Sequence, residues 1–329
     1  MPAQDSAPQR RVTISDVAAA AGVSRATVSR VMNQLSTVDP VLAERVREAA
    51  RQLDYSPSTL ARGLAIGRTH TVALVVPDLG NPAFQAVLRG LSRAAAHEGY
   101  RVLVAETAEQ VAEEAILAGE ARRRCDGLVL TSPRMPLGDL AALLPRLAPV
   151  VLLNREVPGA AAPALGIDHA AGVRALLEHL AGLGHRRVAY LAGPPAAASN
   201  QARLAGLRSP LPGAAGAQVV EIACGATYTD GRAAREAVLA AGVTAVVAFN
   251  DLVALGLLGA LQETGVRVPA DVSVVGFDDI PFSAHTSPPL TTAAVEHTEL
   301  GAQAWVRLSA LLAGGEVPDD LVLEPRLQV

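Results

Sequence analysis

The sequence contains no lysine, so all 28 of its fixed cationic side chains are arginines. That absence excludes chemistry built on a lysine amine, the phosphate-binding P-loop included. Cysteine occurs only at positions 125 and 224, too far apart for a metal spacing, and the pair reads as two reduced thiols. Aromatic residues make up 3% of the chain, so its cores must be built from Ala, Val and Leu. No run of about 18 uncharged apolar residues occurs, so no membrane span is expected. The opening residues, MPAQDSAPQRR, lack an apolar signal segment, which gives the expectation of a cytoplasmic protein. No G-x-G-x-x-G follows the first strand and no nucleophile elbow is present, so an enzyme on a Rossmann-type fold is disfavoured.

What is present suits two or three domains: 329 residues, half of them apolar. The net charge of -4 is unevenly spread, because residues 1 to 64 hold eight arginines against six acids. A basic head on an acidic body fits a protein that touches DNA with one end.

The residues before Val12 are polar and proline-containing and read as a disordered tail, 1–11. The run Thr13-Ile14-Ser15-Asp16-Val17-Ala18 begins a helix, with Ser15 a candidate cap and Asp16 suited to the first turn. Gly22 fits its stop. Ser24 can cap a second helix over Arg25 to Asn33, apolar at Val28, Val31 and Met32 and polar or basic at Arg25, Ser29, Arg30 and Asn33. A third helix is expected from Pro40 to Leu53. Two short helices joined by a tight turn, the second with a basic face, make a helix-turn-helix; any small helical hairpin would share that spacing.

From Thr71 the pattern becomes strand-helix alternation. Apolar runs occur at 72–76, 101–105, 127–130, 150–153, 188–191, 219–222, 245–249 and 272–277, with helix-compatible stretches such as Phe84 to Glu98 between most of them. Such alternation implies doubly wound parallel sheets with ligands at the carboxyl ends of the strands. The strands fall into two groups split near 168, as two Rossmann-like lobes around a cleft. Polar residues at strand ends, Asp78, Asn154, Asp168, Asn250 and Asp278, are candidate hydroxyl-binding groups.

Together, Ile14-Ser15-Asp16-Val17-Ala18, Ala21-Gly22-Val23-Ser24, Thr27-Val28-Ser29-Arg30-Val31-Met32-Asn33, Leu53-Asp54-Tyr55-Ser56-Pro57 and Ala61-Arg62-Gly63-Leu64 resemble the LacI/GalR family of bacterial regulators. The body continues the resemblance at Val76-Pro77-Asp78, Asn154-Arg155, Leu191-Ala192-Gly193-Pro194, Arg203-Leu204-Ala205-Gly206, Phe249-Asn250-Asp251 and Gly276-Phe277-Asp278-Asp279. It implies a fold: an all-α helix-turn-helix head (12–57), a hinge helix (58–70), then a periplasmic-binding-protein-like α/β core (71–329) of two Rossmann-like lobes, the chain crossing back near 292. The function it implies is a transcription regulator, a repressor rather than an enzyme, needing no cofactor or metal. Such a homodimer reads near-palindromic double-stranded operator DNA under allosteric control by a small molecule, a sugar or sugar derivative, and acts at the bacterial nucleoid. The absence of a leucine-heptad tail favours a dimer over a tetramer.

On the same resemblance, Arg25, Ala26 and Arg30 match base-reading positions, with Ser24, Thr27, Ser29 and Asn33 nearer the DNA backbone. Tyr55 and the hinge residue Ser58, where the family often has Asn, belong to the same surface. Leu64 matches a wedge that opens the central base step. Arg203, Asn250 and Asp278 match effector contacts, Phe84 an apolar face, and Asp78, Asn154, Asp168 and His297 further contacts. Three neighbours have competing readings: Asp279 as a helix cap, Arg155 as a lobe-lobe ion pair and His185 as a structural histidine. Tyr228 stands near the place of an aromatic pocket wall.

Overall fold

A computed structural model describes residues 12–32, 38–55 and 68–329. The chain divides into two compact units, residues 1–69 and 70–329.

In the first unit, α1 spans Ile14–Ala21, α2 Arg25–Met32 and α3 Pro40–Gln52. The cap of α1 is Thr13, not Ser15 as the sequence suggested. Asp16 carries the other half of a capping box, its Oδ2 accepting from Thr13 N at 2.8 Å and Thr13 Oγ1 at 2.7 Å. Gly22 ends the helix at φ 62°, ψ 40°, a left-handed conformation that glycine adopts without Cβ strain. Ser24 Oγ accepts from Thr27 N at 3.1 Å and starts α2. Asp39 Oδ1 caps α3 by accepting from Val41 N and Leu42 N, with Pro40 in the first turn. Val17, Val28, Val31 and Val46 meet in a small core completed by alanines. Its fully buried residues are all aliphatic, with Met32 and Tyr55 packed half-buried against them.

The second unit is two doubly wound lobes. Lobe 1 contains β1 (Thr71–Val76), α4 (Pro82–His97), β2 (Arg101–Glu106), α5 (Val111–Arg124), β3 (Gly127–Thr131), α6 (Leu137–Leu147), β4 (Val150–Leu153) and β5 (Ala164–Ile167). Lobe 2 contains α7 (His169–Gly182), β6 (Arg187–Ala192), α8 (Ala198–Arg208), β7 (Gln218–Ala223), α9 (Tyr228–Ala233), α10 (Arg235–Ala240), β8 (Ala245–Ala248), α11 (Asp251–Glu263), β9 (Ser273–Asp278) and β10 (Thr291–Ala294). The chain then returns to lobe 1 through α12 (His297–Ala313), which packs on α4, and β11 (Leu321–Leu323). It ends in lobe 2 with β12 (Arg326–Gln328).

Strand order is β11-β5-β4-β3-β1-β2 in the first sheet and β12-β10-β9-β8-β6-β7 in the second. Pairing is parallel throughout, except that β12 runs antiparallel to β10. The chain therefore crosses between lobes at three places: after Ile167, after Ala294 and between Leu323 and Arg326. The return lies a few residues beyond the expected 292, because Thr291–Ala294 still pairs with β9. The third crossing had no sequence expectation, since β11 and β12 are only three residues each.

Glycines weld α4 to α12. A Cβ on Gly90 would lie 1.9 Å from Thr298 O, and one on Gly301 would lie 2.1 Å from Val87 O. Only hydrogen fits where the two backbones touch. Among the described residues, no helix is long and apolar enough to cross a membrane.

Candidate functional site

Two places in the chain assemble groups suited to recognition. The first is the surface of α2. Arg25, Ala26 and Arg30 are exposed, as is Ser24 before them, while Thr27, Ser29 and Tyr55 are half-buried. Val28 and Val31 turn inward. Among the described residues, neither Arg25 nor Arg30 has a hydrogen-bond or ion-pair partner. The other described arginines of α1 to α3 are engaged. Arg47 pairs with Glu44 at 3.1 Å, Arg51 with Glu44 at 3.0 Å and Glu48 at 2.5 Å, and Arg45 donates to Ala21 O at 2.6 Å. Among the described residues of α1 to α3, the positive charge left free is thus concentrated on α2. Asn33, Ser58 and Leu64 lie outside the described residues.

The second place is a narrow cleft between the lobes, with a cavity volume of about 40 Å³. Its wall holds Asp78, Phe84, Asn154, Arg203, Asn250, Asp278 and His297. All but Arg203, which sits mid-way along α8, are placed by a strand or helix end. Asp78 follows β1, Phe84 sits in the first turn of α4, Asn154 follows β4 and Asp278 closes β9. Asn250 caps α11, its Oδ1 accepting from Val253 N at 2.9 Å while its Nδ2 donates to Ala226 O at 2.8 Å. Asp168 is not in the wall. It sits at the first lobe crossing and caps α7, accepting from Ala171 N at 2.8 Å. A strand-end carboxylate serves a helix cap and a ligand equally well in sequence, and here the helix takes it.

Arg203 is the most constrained group of the cleft. Its guanidinium lies between two rings, 3.7 Å from the Phe277 centroid and 4.7 Å from that of Phe249. It donates to Phe249 O, and its Nη2 lies 3.2 Å from His169 Nδ1. Burial lowers its pKa, but a guanidinium remains charged. His297 Nε2 stands 3.3 Å from Asp278 Oδ1. Asp278 has φ 112° and Asp279 φ 58°, both left-handed and strained for non-glycine residues. Behind this turn, Asp251 is fully buried. It accepts from Ile280 N at 2.9 Å, Ser283 Oγ at 2.6 Å and Thr292 Oγ1 at 2.7 Å. Burial, reinforced by the nearby Asp278 charge, pushes its carboxyl up to about 7.

Lobe 1 adds groups with no sequence expectation. Arg134 forms a two-pronged pair with Glu109 at 2.7 and 2.8 Å, and Glu114 accepts from the backbone of Arg134 and Met135 at 2.6 and 2.7 Å. Arg134, Glu109 and Ser132 all line the cleft, with Asn81, His169 and Ser199. The strand-end rule that found Asn154 applies equally to Ser132, which directly follows β3. Three polar side-chain atoms in the wall are buried without a partner, Asn154 Oδ1, His169 Nε2 and Arg203 Nε, while His297 Nε2 has only the Asp278 carboxylate beside it.

The competing readings also resolve. Asp279 caps no α-helix, since only a 3₁₀ turn at Ser283–His285 follows. Arg155 donates within lobe 1, to Met135 O at 3.4 Å. The His185 ring bridges Thr244 Oγ1 at 2.9 Å and Ser273 Oγ at 3.0 Å, a structural tie. Tyr228 is exposed and outside the cleft, so Ala226 lines the wall where an aromatic was sought.

Comparison with known proteins identifies relatives of both units. Residues 13–58 match the family of bacterial regulatory proteins described as the lacI family, and residues 177–329 match a periplasmic binding protein-like domain. The transcriptional regulator CelR of Thermobifida fusca is 36% identical over 340 residues, covering 98% of each chain. A crystal structure of the lac repressor dimer bound to operator and the anti-inducer ONPF superposes with a TM-score of 0.84 at 31% identity, covering 97% of this chain and 98% of that one. A CelR–cellobiose complex gives 0.69 at 33% identity, covering 97% and 99%. With this kinship along nearly its whole length, the chain belongs to the LacI family of bacterial transcriptional regulators.

Proposed function

We propose that the protein represses transcription by reading a near-palindromic operator as a homodimer, and that a neutral sugar bound between its lobes changes its grip on DNA. In this reading α2 lies in the major groove. Arg25 and Arg30 offer forked donors to guanine or phosphate, and Ala26 can meet a thymine methyl. Ser24, Thr27, Ser29, Asn33, Tyr55 and Ser58 hold the DNA backbone, and Leu64 wedges the central step. The protein acts in the cytoplasm as a regulator, without enzymatic activity, cofactor or metal.

The observation that carries the effector reading is that three residues lining one cleft, Asn154, His169 and Arg203, each hold a buried polar atom without a partner. Buried polar groups are ordinarily paired, and each one left unmet costs about 1–3 kcal/mol. Such a wall is completed by a ligand dense in hydroxyls. Its formal charges nearly cancel, with Asp78, Glu109 and Asp278 against Arg134 and Arg203, which favours a neutral ligand over an anion. The cellobiose complex of the related regulator supports the same class. Asp168 drops out of the contact set, because it does not line the cleft.

Closing the cleft on a ligand need shift the balance between two arrangements of the lobes by only about 1–3 kcal/mol to change operator affinity roughly 5–150-fold. The test is calorimetric titration of the full-length protein with cellobiose, D-galactose, D-glucose and D-ribose. Saturable binding of at least one, lost in Asp278→Asn, is expected. No binding of any of them would contradict the reading.

A further inference from the structure

His169 is the first residue of α7, immediately after the chain enters lobe 2. Its ring is 7% exposed, forms part of the cleft wall and packs at 5.6 Å and 44° against the Phe277 ring. Arg203 and His169 meet at 3.2 Å through Nη2 and Nδ1. A guanidinium can only donate, so Nδ1 must accept. Burial, then the Arg203 charge, then His297 push the imidazole pKa well below its ordinary value. The ring is therefore neutral, and its one proton sits on Nε2. That Nε2–H has no hydrogen-bond partner, and neither does the neighbouring Arg203 Nε–H.

We propose that His169 is a specificity-determining residue of the cleft, whose Nε2–H donates to an oxygen of the bound carbohydrate. This rests on the reading of the cleft as an effector site and adds to it a polarity. On the lobe 2 side His169 and Arg203 can only give hydrogens, so the ligand must present lone pairs there. On the opposite side Asn154 Oδ1 can only accept, so the ligand must present a hydroxyl hydrogen. A carbohydrate supplies both on one ring, its ring or glycosidic oxygen accepting and its hydroxyls donating. An analogue with a methylene in place of the accepting oxygen leaves the histidine donor unmet, and sites built this way reject such analogues.

The test compares wild type with His169→Gln and His169→Met in the full-length protein. Glutamine keeps an acceptor for Arg203 and an amide donor for the ligand; methionine fills the space and donates nothing. Each is titrated with cellobiose, D-galactose, D-glucose and D-ribose, and thermal unfolding checks that the variants fold. For any sugar that wild type binds, affinity should fall about tenfold or more in His169→Met and stay within about threefold in His169→Gln. Wild-type affinity retained in a folded His169→Met would overturn the proposal while leaving the effector reading intact. Failure of wild type to bind any of the sugars would overturn both. Long-range proton–nitrogen correlation spectra of the histidine rings, assigned by loss of one set in His169→Gln, add a readout independent of ligand. A proton on Nε2 is expected, and one on Nδ1 would overturn the proposal.

Discussion

The arginines of α2 and Arg203 of α8 are the same side chain in opposite physical settings. Arg25 and Arg30 are exposed with no partner among the described residues, whereas Arg203 is 3% exposed and held against two phenylalanine rings. The first arrangement leaves charge free to meet a polyanion through displaced counterions. The second spends solvation in advance and fixes one donor geometry, which suits a small ligand that must be told from its isomers. Carboxylates divide in the same way. The Arg51 hydrogen bonds lower the pKa values of exposed Glu44 and Glu48, while burial raises that of Asp251.

The contrast is sharpest in its response to salt. Operator binding should weaken roughly thousandfold between about 50 and 200 mM salt, while sugar binding by the same preparation stays constant. Parallel titrations at several ionic strengths check this, and an equally steep slope for both would erase the distinction.

Asp251 gives the next largest effect. Its folded pKa of about 7 lies above the ordinary 3.8, so the stabilising protonated form is fully present below the ordinary value. That stability is lost as pH rises through about 7, amounting to at most about 4 kcal/mol for a shift of this size. Asp251→Asn cannot titrate. Thermal melts of both proteins from pH 4 to pH 8 should show wild type losing ground to the variant as pH rises, and parallel curves would refute the burial account.

Arg203→Met keeps the contacts between the two rings and removes the donors. Sugar affinity should drop roughly a hundredfold, about 3 kcal/mol, with operator affinity in the absence of sugar retained. Calorimetry and fluorescence anisotropy separate the two readouts. Arg30→Ala should show the reverse pattern at smaller scale, costing about 2 kcal/mol of specific operator affinity. Its melting temperature should hardly move, since exposed substitutions lie within about 0.5 kcal/mol.

The two regions also differ in how legible they were in the sequence. The head was readable because its signals are local: the Val17, Val28 and Val31 spacing, Gly22 at a left-handed turn, and Ser24 before α2. Even there the cap was misplaced by two residues, since Thr13 and Ser15 are both competent and only the reach to Asp16 decides. The strand-end rule placed Asp78, Asn154, Asn250 and Asp278 in the cleft wall because apolar runs such as Val72–Val76 lead into a polar residue. It failed where one residue type serves two purposes, as Asp168 does in capping α7. It was also silent where position depends on tertiary pairing. Nothing local marks Glu109 and Arg134, 25 residues apart, as partners. Nor does anything local mark the short strands β10, β11 and β12, which exist only because neighbours pair with them.

The most direct test of the account joins its two halves in one measurement. Duplexes selected by the full-length protein from a random pool should share a near-palindromic sequence. Anisotropy on that duplex should show affinity changing roughly 5–150-fold when a sugar that binds the cleft is added. An affinity indifferent to every sugar shown by calorimetry to bind, or a pool that yields no preferred duplex, would contradict it.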